Sequence, residues 1–124
     1  MPSARPVKRL ASCGAVAAVL ALTTAGAAFG HAAVVSRTPA PGSTATSVRS
    51  VKVTFAEAVI TGKISIATAS GKAVSISSSG LVSRKTVLRA VPGATLPSGR
   101  YVVSWRALSD DGHRERGTWT FRVR

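Results

Sequence analysis

The chain has 124 residues, of which 17 are basic and four acidic, giving a formal net charge of +13 at pH 7. That length suits one domain, and the single cysteine, Cys13, excludes both a disulfide framework and a cysteine-rich metal site. The basic residues never run longer than two and few aromatics interleave with them, so the charge reads as a solvated, envelope-facing surface and not as a nucleic-acid site.

The first thirty residues read as an export signal. Arg5, Lys8 and Arg9 precede an apolar stretch from Ala15 to Ala28 dominated by Ala, Val and Leu, with Ala28 and Gly30 at the −3 and −1 places before His31. The run is shorter than the roughly 20 apolar residues that span a bilayer, which disfavours a transmembrane anchor. Cys13 lies ahead of the apolar run, so it does not fit a lipoprotein site. Cleavage after Gly30 would leave a domain of residues 31–124 beginning at His31. It would hold no cysteine or methionine, and its 14 basic residues against four acidic ones would give a net charge of +10.

From His31 onward the apolar pattern has period two and predicts an all-β chain. Val51, Val53 and Phe55 alternate with Lys52 and Thr54. Ile64 and Ile66 alternate with Lys63 and Ser65, and Val74 and Ile76 follow a turn at Gly71. Tyr101, Val103 and Trp105 form one face of a later strand, and Trp119, Phe121 and Val123 form one face of the last. Turns are predicted at Pro39–Gly42, Ser70–Gly71, Ser78–Gly80, Pro92–Gly93, Pro97–Gly99 and Asp110–Gly112. Seven or so short strands favour an immunoglobulin-like β-sandwich, with a small barrel as the alternative. The aromatics Tyr101, Trp105, Trp119 and Phe121 are expected in its core.

Two features carry chemistry. An N-terminal histidine can chelate one ion through both its α-amine and its imidazole, a bite no internal histidine has. The only other histidine lies in Ser109-Asp110-Asp111-Gly112-His113, where a tight turn can aim the Asp111 oxygen and the His113 nitrogen to one side. Together they make a nitrogen-rich set suited to Cu(II). Taken alone, the same five residues also read as an ordinary polar hairpin turn.

The sequence resembles the CopC family of copper-resistance proteins. The resemblance rests on His31-Ala32, the proline loop Arg37-Thr38-Pro39-Ala40-Pro41-Gly42, Phe55-Ala56-Glu57-Ala58-Val59, Leu96-Pro97-Ser98-Gly99-Arg100-Tyr101-Val102-Val103-Ser104-Trp105, Ser109-Asp110-Asp111-Gly112-His113 and Gly117-Thr118-Trp119-Thr120-Phe121. It implies a small, exported Greek-key β-sandwich, in the periplasm or the extracellular cell envelope. Such a protein binds one Cu(II) and carries or buffers it without catalysis.

The resemblance places the ligands at the His31 α-amine and imidazole, Asp111 and His113. Glu57 stands where some members carry a further acidic residue. It takes a weak or supporting role, or is a solvated carboxylate at a strand end. A Cu(I) site of methionines, present in some relatives, is not expected, because Met1 is the only methionine. Arg114 and Arg116 flank the turn and can lower the Asp111 pKa.

The resemblance further implies a monomer that is not membrane-spanning once cleaved and binds no nucleic acid, with a CopD-like inner-membrane copper transporter as candidate partner. Two rival readings differ in class. One is a small copper monooxygenase, disfavoured by the short chain. The other is a metal-free immunoglobulin-like module that binds anionic wall polymers by charge.

Overall fold

Apolar residues at alternate positions bury one side of a strand, and in the computed structural model, which describes residues 33–124, this holds through both halves of the chain. Val51, Val53 and Phe55 are buried while Lys52 and Thr54 between them are not. Ile64 and Ile66, the odd-numbered positions Tyr101 to Ala107, and Trp119, Phe121 and Val123 are buried likewise.

The eight strands are β1 (Val34–Thr38), β2 (Thr44–Ala45), β3 (Val51–Phe55), β4 (Val59–Thr68), β5 (Ile76–Val82), β6 (Val87–Pro92), β7 (Gly99–Ser109) and β8 (Arg114–Val123). They form two four-stranded sheets, ordered β1-β3-β6-β5 and β2-β8-β7-β4, that face each other as a β-sandwich. Most connections pass from one sheet to the other. The exceptions are the hairpins β5–β6 and β7–β8. All pairings are antiparallel except the short parallel ladder of β2 with β8.

The core is one cluster built from the inward faces of both sheets, and the four expected aromatics belong to it. Phe55 meets Trp105 edge to face and Tyr101 stacks on Phe121. The Tyr101 hydroxyl donates to the Pro97 carbonyl at 2.6 Å, tying the start of β7 to the turn before it. Trp119 Nε1 donates to the Pro39 carbonyl and Gly42 N–H donates to the Thr120 carbonyl. These bonds fasten the proline loop onto β8.

One expectation from the sequence changes. Ser78-Ser79-Gly80 is not a turn but the middle of β5, paired with Ala90 and Arg89 on β6. The turn falls later, where Ser83, Arg84 and Lys85 all take positive φ. Serine and glycine signal turns by local preference, and here an exposed strand beside β6 overrides it. Strands β1, β2 and β6 carry no clean alternation and were not legible in the pattern. The N-terminal segment 1–30, Cys13 and His31 lie outside the described residues, and no helix among the described residues is long and apolar enough to cross a membrane.

Candidate metal centre

Strand β7 keeps its inward phase to its last residue. Tyr101, Val103, Trp105 and Ala107 point into the core, and the next inward position is Ser109, 1% exposed and the buried polar residue among those described. A hydroxyl on that phase has to find partners. Ser109 Oγ lies 2.5 Å from Asp111 Oδ1 and 3.1 Å from the His113 carbonyl, so its single proton goes to the shorter, charged acceptor.

Backbone bonds close the turn around this contact. Ser109 N–H donates to the His113 carbonyl, and Gly112 N–H donates to the Ser109 carbonyl, with Gly112 at φ +86°. A side chain would be strained there. Asp111 Oδ1 also accepts the His113 N–H at 3.0 Å.

The Asp111 carboxylate is therefore gripped on one oxygen and offers the other. Oδ2 stands 2.9 Å from His113 Nδ1, with the two side chains 27% and 62% exposed. Metal–nitrogen and metal–oxygen bonds run about 2.0–2.1 Å, so two donors at right angles on one ion are about 2.9 Å apart. Oδ2 and Nδ1 already have that spacing, which fits one ion bonded to both. The Asp111 carboxyl is held well below the usual carboxylate range. Its main cause is the Ser109 hydroxyl bond, followed by the His113 backbone N–H; desolvation opposes these, and the His113 side chain adds a lesser lowering. Arg114 and Arg116, expected to do this, are not among the causes.

Among the described residues no group of three His, Cys, Asp or Glu side chains gathers as a metal site, so Asp111 and His113 are a pair that needs further donors. Glu57 is exposed in the β3–β4 connection. Because Val59 pairs with Ser109, that connection lies at the same end of the sandwich as the β7–β8 turn, but Glu57 does not join the pair.

The N-terminal approach ends there too. Ala33 accepts the Ala56 N–H at 2.8 Å, and Ala33 and Val34 line one cavity with Trp105, Arg114, Glu115 and Arg116. Ala33 is two residues after His31, and Glu115 is two residues after His113. His31, itself outside the described residues, is at most about 7 Å along the chain from Ala33.

Ser109 is the residue whose part the motif did not disclose. Its signal was present as a serine on the buried phase of an otherwise apolar strand.

The family model described as the CopC domain matches residues 34–124. The chain belongs to the CopC domain family. Copper resistance protein C of Pseudomonas syringae pv. tomato is 35% identical over 103 residues, covering 76% of this chain and 81% of that protein. CopC from Methylosinus trichosporium OB3b has a solved structure with TM-score 0.64 at 30% identity, covering 75% of this chain and 93% of that one. PcoC, a methionine-rich copper resistance protein from Escherichia coli, aligns with TM-score 0.69 over 76% of this chain and 99% of its own. At 24% identity that likeness shows the shared sandwich.

Proposed function

We propose that this CopC-domain protein is an exported carrier or buffer for one Cu(II), held by the α-amine and imidazole of His31 with Asp111 Oδ2 and His113. One observation carries the reading. The chain entering at Ala33 and the Asp111–His113 pair lie at one end of the sandwich, with Ala33 and Glu115 on a shared cavity, so His31 has only two residues of chain to cover.

Three nitrogens and one carboxylate oxygen make a tetragonal set that suits Cu(II). With Met1 as the only methionine and Cys13 the only cysteine, residues 31–124 offer no soft donor for Cu(I). Membership of the CopC domain family supports copper as the ion, and a carboxylate ligand, which stabilises Cu(II) against redox cycling, supports carriage without catalysis. A CopD-like membrane transporter in the cell envelope is the fitting recipient or source. Glu57, at the same end, has at most an electrostatic influence on the ion.

The experiment is a Cu(II) titration of the chain beginning at His31 against one with an extra alanine before it. The expected result is tight 1:1 binding that the added residue abolishes, since it removes the α-amine from chelating reach. Equal binding by both sinks the N-terminal site. The uncleaved precursor should bind copper as poorly as the extended form.

A further inference from the structure

Cations that look scattered along the sequence are gathered by strand register onto one face. Lys63 on β4 pairs with Arg106 on β7, and Arg106 pairs with Arg116 on β8, all three exposed. At the other end of the same outward face, Arg100 pairs with Arg122. Between these two poles lie short side chains in register: Ser65, Ser104 and Thr118, then Ala67, Val102 and Thr120.

Like charges set directly opposite across strands are destabilising. Among the described residues none of these five forms an ion pair that would offset the repulsion. The four acidic residues, Glu57, Asp110, Asp111 and Glu115, all sit at the end of the sandwich that holds the β7–β8 turn. An arrangement that costs the isolated domain stability on one face is explained when an anion covers that face.

We infer that the outward face of the β2-β8-β7-β4 sheet is a docking surface for an anionic phospholipid bilayer, held by Lys63, Arg100, Arg106, Arg116 and Arg122. Four of the five are arginines, whose planar forks match phosphate oxygens two at a time. From Arg100 to Arg106 is six residues of strand, about 20 Å, so no small anion reaches both poles. A headgroup layer meets both at once and requires no register between them.

Nucleic acid fits less well. The aromatics of this sheet, Tyr101, Trp105, Trp119 and Phe121, all face inward, which leaves no platform for stacking bases. The large exposed apolar side chains, Val35, Ile60 and Val82, lie off these rows, so docking is electrostatic and reversible by salt. A docked molecule would hold the β7–β8 turn at the rim of the contact, beside the membrane plane. That last consequence rests on the copper reading, whereas the docking does not.

The opposite sheet supplies an internal control, because Lys52 and Arg89 pair there as an outward cation pair. Both sheets and the core lie within residues 33–124, so the chain beginning at His31 carries the whole described fold. It is sedimented with vesicles of phosphatidylglycerol in phosphatidylcholine and with phosphatidylcholine alone, across a salt series. The expected result is binding to the anionic vesicles only, weakening as salt rises. The double variant Arg106→Gln with Arg116→Gln should lower partitioning roughly ten- to thirty-fold. Lys52→Gln with Arg89→Gln, an equal loss of charge, should change it far less.

Equal losses from the two pairs, or no preference for anionic vesicles, would overturn the proposal. So would tighter binding to duplex DNA, used as a soluble phosphodiester probe, through the same arginines. Copper titration of Arg100→Gln with Arg122→Gln, the pair at the pole away from the β7–β8 turn, keeps the two readings apart. This variant should weaken vesicle binding, yet it should bind Cu(II) as the parent does whether or not the docking holds.

Discussion

Ser109 and Asp111 are joined across the protein surface: the serine is buried at the end of β7, the aspartate is exposed in the turn, and 2.5 Å separates Oγ from Oδ1. The core thereby adds a second hold on the carboxylate oxygen that the turn itself grips through the His113 N–H. Ser109→Ala removes that hold while barely changing volume. Cu(II) affinity should fall about 10- to 100-fold, as for other residues that orient metal-binding groups, while the melting temperature drops by only a few degrees. Competition titration and thermal unfolding measure the two separately, and an unchanged affinity would reduce Ser109 to a packing role.

The same contact sets how stability responds to acid. The folded pKa of Asp111 is depressed below its unfolded value, so the unfolded chain takes up the proton at higher pH than the folded one. Asp111 therefore contributes stability that is fully present above about pH 4 and is lost as pH falls through the folded pKa. Melting temperatures of the parent and Asp111→Asn, followed from neutral pH into acid, should converge at the acid end. Parallel curves would show that the carboxylate is not stabilised by the fold.

Gly117 is required by close approach, not by backbone conformation. A Cβ there would lie 2.8 Å from Trp105 Nε1 and 2.9 Å from Cε2 and Cζ2 of the same buried indole. Trp105 packs edge to face on Phe55 and has little room to retreat. Gly117→Ala should cost about 1–3 kcal/mol, visible as a fall in the urea midpoint together with a changed tryptophan emission. Trp105 Nε1, buried without a partner among the described residues, adds no hydrogen bond that would be lost.

Arg106 stands between Lys63 and Arg116 in one cross-strand row. Replacing it with Gln relieves two like-charge neighbours, so the free domain should become more stable by about 0.2–1 kcal/mol at low salt. The gain should shrink as salt screens the row. Denaturant melts at two salt concentrations test this, and a loss of stability would mean that Arg106 packs more than it repels.

Much of the proposed metal pair was legible before folding, because its parts are local. Asp111, Gly112 and His113 lie within three residues, and a turn that needs positive φ at its glycine brings the flanking side chains together by short-range sterics alone. Period-two burial in β3, β4, β7 and β8 was legible for the same reason, each strand carrying its own two faces. Strands β1, β2 and β6 were hidden, since their place depends on partners distant in the chain.

What the sequence alone determined is the list of candidate nitrogen and oxygen donors, the absence of methionine and cysteine from residues 31–124, and an all-β chain with its aromatics inside. Tertiary structure decided what those residues meet. It brought Ala33 beside the β7–β8 turn, put Ser109 under Asp111, left Glu57 apart from the pair, and set Lys63, Arg106 and Arg116 in one row. Apart from the Ser109 contact, which is local and needs only that the end of β7 be buried, these depend on sheet register and on the packing of two sheets, which join residues far apart in the chain and leave no local pattern to read.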